Sequence, residues 1–299
     1  MAKRALKFLT AVTWCVENLE TAESAWRDWL GFRVVARGKI TSDLCDAWDT
    51  PAAIGQSYCL LEPASGDPVF IRFIETGERP PPGSFGWCAA EFLVQDPDAL
   101  AERLAKSPFR RLGGPADLFP QPKAPRAMQM IGPSGEVVYF TRILPGGSRF
   151  GLKGAKSEVD RVFIVPVGGP SIAKMQDFYC SMLGLKQTEP MAFINPIMAH
   201  ICGVQAATVF PTAIVPIPGR RFLIELDQLP ASATLRRRRP GHLPPGLSMV
   251  TFLTPDLDAV DVPWQTPPVQ LAGAPYNGRR TAIITGPSGE WLELIEQPD

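Results

Sequence analysis

The sequence predicts an α+β chain of four β-α-β-β-β modules, paired two and two into domains with curved mixed sheets. Three observations predict it. The turn Gly-Pro-Ser-Gly-Glu occurs at Gly132 to Glu136 and again at Gly286 to Glu290, about half a chain length later, as a duplication would leave it. Stretches with two-residue alternation are each followed by one helical stretch with its own start or stop signal. Finally, 32 prolines and 26 glycines in 299 residues cut the chain into many short strands.

The first module opens with a strand over Leu9 to Val16. Asn18 caps a helix that runs to Leu30 and stops at Gly31, and strands follow at Phe32 to Ala36, Tyr58 to Glu62 and Val69 to Glu75, with Trp48 in the intervening loop. The second module has a strand over Trp87 to Val94, a helix from Asp96-Pro97-Asp98 through Leu104, and a last strand after the Gly132 turn. The third has a strand over Val159 to Pro166, a helix from Ser171 to Leu183 ending at Gly184, and strands at Phe210 to Ile217 and Arg221 to Asp227. The fourth has a strand over Leu247 to Thr254, a helix start at Asp256-Leu257-Asp258, and a final strand, Trp291 to Glu296, in which Glu293 shares a row with apolar neighbours.

Residues 145–157, rich in Gly, Ser and Lys, have the composition of a linker. The expected division is a first domain at 1–146 (modules 6–78 and 86–144), a linker at 147–157 and a second domain at 158–299 (modules 158–229 and 246–297).

Thirty basic and 30 acidic side chains leave no net charge, which gives no electrostatic basis for binding nucleic acid or an anionic membrane. The six cysteines have no metal-binding spacing and read as thiols of a reducing compartment. Lys3, Arg4 and Lys7 before Phe8 to Val16 imitate a signal peptide, but Glu17-Asn18-Leu19-Glu20 follows at once, so the stretch reads as a strand and the expected location is cytoplasmic. No apolar run approaches the roughly 20 residues of a membrane span.

Trp29-Leu30-Gly31-Phe32, Met182-Leu183-Gly184-Leu185, Asp256-Leu257-Asp258 and Gly286-Pro287-x-Gly289 with Leu292-Glu293-Leu294 together resemble the vicinal oxygen chelate superfamily. That group holds glyoxalase I, bleomycin-resistance proteins, methylmalonyl-CoA epimerase and extradiol dioxygenases. In number of modules the chain looks most like the two-domain dioxygenases. The resemblance implies a pocket on the concave face of each paired sheet, with a metal ligand on the first and last strand of each module.

Carried onto this sequence, those positions are Arg161, Glu225, Met249 and Glu293 in the second domain, and Ala11, Arg72, Ala89 and Tyr139 in the first. The only histidines, His200 and His242, fall on none of them, so no metal and no cofactor is expected. Arg161, Glu225 and Glu293 are expected to meet in one concavity lined by Phe163, Val165, Met249, Thr251, Leu253 and Trp291. Arg161 would replace the metal as the stabiliser of an oxyanion, with the two glutamates exchanging protons. Arg72, Glu91 and Tyr139 are expected to form a cluster in the first domain, a ligand site or, more in keeping with a retired half, a structural plug. Trp48 and Trp87 are candidate stacking residues, and Arg236 to Arg239 read as a solvated loop.

The function expected from this is a metal-independent lyase or isomerase acting beside a carbonyl of a hydrophobic or aromatic small molecule. A small-molecule sequestering protein of the bleomycin-resistance type and a divergent metal-dependent extradiol dioxygenase stay open. The expected partners are that small molecule alone, in a monomer or homodimer.

Overall fold

The structure, a computed structural model, describes residues 5–78, 83–219 and 221–297; Lys3 and Arg4 of the N-terminal reading lie outside them. The first module comprises β1 (Phe8–Val16), α1 (Leu19–Leu30), β2 (Arg33–Lys39), α2 (Ser42–Trp48), β3 (Ser57–Glu62) and β4 (Phe70–Glu75). The second comprises β5 (Gly86–Trp87), β6 (Ala90–Val94), α3 (Pro97–Leu104), β7 (Arg110–Asp117), β8 (Arg126–Ile131) and β9 (Val137–Arg142). The third comprises β10 (Val159–Gly169), α4 (Ile172–Gln176), which widens into a π-turn at Asp177–Met182, β11 (Met191–Ile194), α5 (Pro196–Ile201), β12 (Val209–Pro216) and β13 (Leu223–Gln228). The fourth comprises β14 (Leu247–Thr254), β15 (Val269–Gln270), β16 (Arg280–Thr285) and β17 (Trp291–Glu296).

The helix starts follow the local signals. Asn18 Oδ1 accepts from the Thr21 amide at 2.7 Å, and Asp96 Oδ1 from the amides of Asp98 and Ala99. Asp256 caps in the same way, yet what it starts is a single 3-10 turn, Leu257–Ala259, rather than the expected helix. The two Gly-Pro-Ser-Gly-Glu turns are copies in space: the amides of Gly132 and Gly286 each donate to the glutamate carbonyl at 2.8 Å, and each glutamate side chain folds back onto a serine amide. A Cβ on Gly286 would lie 2.1 Å from Glu290 Oε1, so only glycine admits that fold-back.

The modules pair in a nested order that corrects the expected one. One eight-stranded sheet runs β15-β16-β17-β14-β1-β4-β3-β2 and joins module four to module one; the main path of the other runs β11-β12-β13-β10-β6-β9-β8-β7 and joins module three to module two. The joints are antiparallel, β1 with β14 from Phe8↔Leu253 to Trp14↔Leu247, and β10 with β6 from Val159↔Val94 to Ile164↔Glu91. Modules one and two therefore do not share a sheet, and the division at 147–157 does not separate the sheets. They meet back to back instead: Trp26 of α1 stacks edge-on against Phe73 of its own module and Phe92 of the second, at 5.6 and 5.1 Å. Alternation along a strand fixes which face is buried, but every first strand here is apolar on the same face, so the pattern leaves open which neighbour it joins.

Each sheet curls around a concavity. That of the first sheet is filled by Trp48 at the end of α2 and by Leu271 and Tyr276 from the loop before β16, packed on Met249, Ile283 and Trp291. Over the second, Phe150 and Leu152, in the stretch expected to be a linker, lie against Phe163 and Ile164.

Candidate functional site

In the first concavity the sheet brings four rows together: Thr13 pairs with Arg72, and Thr251 with Glu293. Glu293 Oε1 accepts from Trp48 Nε1 at 2.8 Å and from the Tyr276 hydroxyl at 2.7 Å. Its Oε2 accepts from Arg72 Nη2 at 2.9 Å and from Thr251 Oγ1 at 2.6 Å. Arg72 in turn donates to Thr13 Oγ1 at 2.9 Å and to the Tyr276 hydroxyl at 2.7 Å, and its guanidinium lies 4.7 Å from the centre of the Trp48 ring. Burial pushes the Glu293 carboxyl up, but the Arg72 charge and the surrounding donors outweigh it and hold the group below its ordinary value.

A divalent ion does not fit this donor set. Of the four superfamily positions, Arg72 holds a guanidinium, Met249 a thioether and Ala11 only a methyl group, and both oxygens of the single carboxylate, Glu293, are engaged. A cation does stand beside Glu293, but it is Arg72, read from the sequence as part of the other domain. Trp48 and Tyr276 close the concavity, and Trp48, expected at a loop mouth, is buried on the carboxylate.

The second concavity is open. A cavity of about 610 Å³ has Glu91 of β6, Thr141 of β9 and Glu225 of β13 among its lining, with Phe163 and Leu223 beside them. β10 separates β6 from β13, which puts those strands about 10 Å apart. Burial lifts the Glu91 carboxyl to about 7, against a smaller downward pull from the Thr141 hydroxyl. Glu225 is pushed well above the carboxylate range by burial first and then by the charges of Asp227 and Glu91.

Asp227 is fully buried on the same row of β13. Its Oδ1 accepts from Thr212 Oγ1 at 2.7 Å, while its Oδ2 meets no amide, hydroxyl or guanidinium donor among the described residues. The charge of Asp227, two residues along that row, adds to the upward push on Glu225. Burial raises Asp227 to about 6. Tyr139 and Asp227 also border a separate cavity of about 460 Å³, where His200 of α5 lies. Among the described residues no group of three His, Cys, Asp or Glu side chains is placed to hold a metal ion, so a divalent centre does not fit here either.

The triad expected from the sequence is thus dispersed. Glu293 and Glu225 sit in different sheets. Arg161 points away from both: its Nη1 donates to the carbonyls of Val162 and Arg221, its Nε lies 3.6 Å from Asp67, and its guanidinium covers the Phe222 ring at 5.0 Å. The predicted lining divides too. Phe163 faces the open cavity, while Met249, Thr251 and Trp291 belong to the filled one; a register shift beside Val162 turns Val165 into the core between the sheets. Of the expected Arg72, Glu91, Tyr139 cluster, Arg72 lies in the other sheet, while Glu91 and Tyr139 pair across β6 and β9.

Trp87 is no stacking residue, since it is buried and donates to the Trp291 carbonyl at 2.8 Å. The arginine run is not a uniformly solvated loop: Arg236 is drawn in to bond Ser84 and the carbonyls of Trp87, Pro245 and Leu247, Arg238 covers Trp291 at 5.0 Å, and Arg239 pairs with Glu78. What sequence reasoning missed is the role of Asp227. The alternation Leu223, Glu225, Asp227 places it on the face of Glu225 and carried that signal.

Two curled sheets, each built from two β-α-β-β-β modules around a concavity, constitute the vicinal oxygen chelate fold in its four-module, single-chain form. Among solved structures, the chain is similar to glyoxalase I from Zea mays, with a TM-score of 0.65 and 13% identity over 97% of this chain and 92% of that one. It is also similar to a putative dioxygenase from Bacillus subtilis, with a TM-score of 0.64 and 11% identity over 99% of this chain and 87% of that one. At these identities the likeness concerns the fold. No protein-family model and no curated protein sequence matches the chain. Among the described residues no helix is long and apolar enough to cross a membrane.

Proposed function

We propose that the second concavity is the working site of an acid-base isomerase or lyase that moves a proton beside a carbonyl of a hydrophobic small molecule. The observation that carries this is that Glu91 and Glu225 open on one cavity without a cation at the floor to neutralise them, whereas Glu293 is fully engaged elsewhere. Glu91, poised near neutrality, is the base that removes the proton; the C–H electron pair becomes the enol double bond. Glu225, kept neutral by burial, donates its proton toward the carbonyl oxygen, the task first assigned to Arg161.

The test is solvent deuterium incorporation next to the carbonyl in a panel of aryl ketones, followed by NMR. Exchange that survives EDTA treatment and falls by about 10²- to 10⁴-fold in Glu91→Gln is expected. Exchange restored only by added metal, or unchanged in Glu91→Gln, overturns the reading. Sequestration is the second reading, favoured by Leu118 and Phe119, which stay exposed at the cavity mouth as an apolar entrance. It predicts tight binding of the same ketones with no exchange at all.

A further inference from the structure

We infer that the ligand of the open cavity is an elongated aromatic ketone or enone with an anionic group at the end away from its carbonyl, which deepens the proposed function and rests on it for the carbonyl alone. The cavity is polarised along its depth. Its floor carries carboxyls, and among its lining residues one cation occurs, Arg149, in the stretch that folds over the edge. The Arg149 side chain is exposed, which places it at the mouth, and its guanidinium rests 4.8 Å from the centre of the Phe150 ring.

An anionic group is disfavoured beside Glu91, which is ionised when it acts as the base, because like charges in a desolvated site repel strongly. It must stay outward, where Arg149 offers a bidentate partner. The walls between the two ends explain the aromatic body. Phe119, Phe150, Phe163 and Phe193 all line the cavity, and Phe119 is 41% exposed, a costly arrangement for a ring with nothing to stack on it. A volume of about 610 Å³ suits a ligand of that kind.

The probes are a naphthyl ketone bearing a terminal carboxylate and its neutral methyl ester, titrated against the intact protein by calorimetry and naphthyl fluorescence. The acid is expected to bind about tenfold more tightly than the ester, with a preference that shrinks as salt rises. In Arg149→Ala the two should bind alike, and in Arg149→Glu the order should reverse. Binding of neither probe, equal binding of both, or a preference that survives Arg149→Ala overturns the inference. Preferential binding of the acid without deuterium exchange upholds it and overturns the acid-base chemistry, so the two failures are told apart.

Discussion

Arg72 Nη2 lies 2.9 Å from Glu293 Oε2, and the two side chains are 3% and 0% exposed, on strands contributed by the first and last modules of the chain. This ion pair stands at two of the strand positions that the resemblance drawn from the sequence marks as ligand positions. It lies in the filled concavity, whereas the other holds a cavity of about 610 Å³.

Removing one partner of such a pair leaves a buried charge alone. Arg72→Met is expected to cost about 3–5 kcal/mol, read as a lower urea midpoint, and adding Glu293→Gln should return part of the loss by discharging the stranded carboxylate. Acid acts on the same group. The folded-state value of Glu293 lies below its ordinary 4.5, so its stabilisation is present above that value and is lost as pH falls through the lower one.

Glu91 titrates with the opposite sign. Its carboxyl rises from 4.5 to about 7 on folding, so its contribution to stability is complete below 4.5 and is lost as pH climbs through 7. Glu91→Gln should therefore be more stable than the parent at about pH 8, by up to about 3 kcal/mol, and little changed at about pH 4. Urea unfolding at the two pH values measures the difference.

Exchange at the open cavity needs Glu91 ionised and Glu225 protonated. The kcat/KM for deuterium incorporation should rise through about pH 7 and decline at higher pH, where Glu225 loses its proton. Asp227→Asn removes a negative charge beside Glu225, so the alkaline limb should move to lower pH while the limb near 7 stays in place. A profile flat across that range would exclude this pair as the acid and base.

The arginine run separates into buried and free members. Arg236→Ala removes hydrogen bonds to Ser84, Trp87, Pro245 and Leu247 and should cost about 2–4 kcal/mol, whereas Arg237→Ala, at an exposed position, should stay within about 0.5 kcal/mol. Thermal unfolding of the two variants side by side provides the comparison.

The parts of this fold legible in the sequence are those that local chemistry decides. Asn18, Asp96 and Ser171 cap helices because a short polar side chain reaches its own following amides, and the Gly286 turn leads into Glu293 as its spacing requires. The four modules and the burial of the Glu293 row were legible for the same reason. What joins distant segments was not. The partner of β1 is chosen among three similar apolar strands, β6, β10 and β14, and that choice decided whether Glu293 met Arg72 or Glu225. Trp48 comes from the end of α2 and Tyr276 from the loop before β16, and neither stretch says which concavity it enters. Arg161 was misplaced because the stretch Asp160-Arg161-Val162 resembles a ligand strand, while the salt bridge that turns its side chain outward comes from Asp67 in another module.

The nested pairing also sets an order of events at the ribosome. β10 emerges to find β6 already made, so the inner sheet, with its open cavity, can complete itself while the chain is still growing. β1 has no such neighbour until β14 appears, and for most of synthesis its free edge is exposed to any extended segment nearby. Truncations ending before Leu247 should therefore retain the ligand cavity and yet aggregate through the orphaned edge of their own first strand.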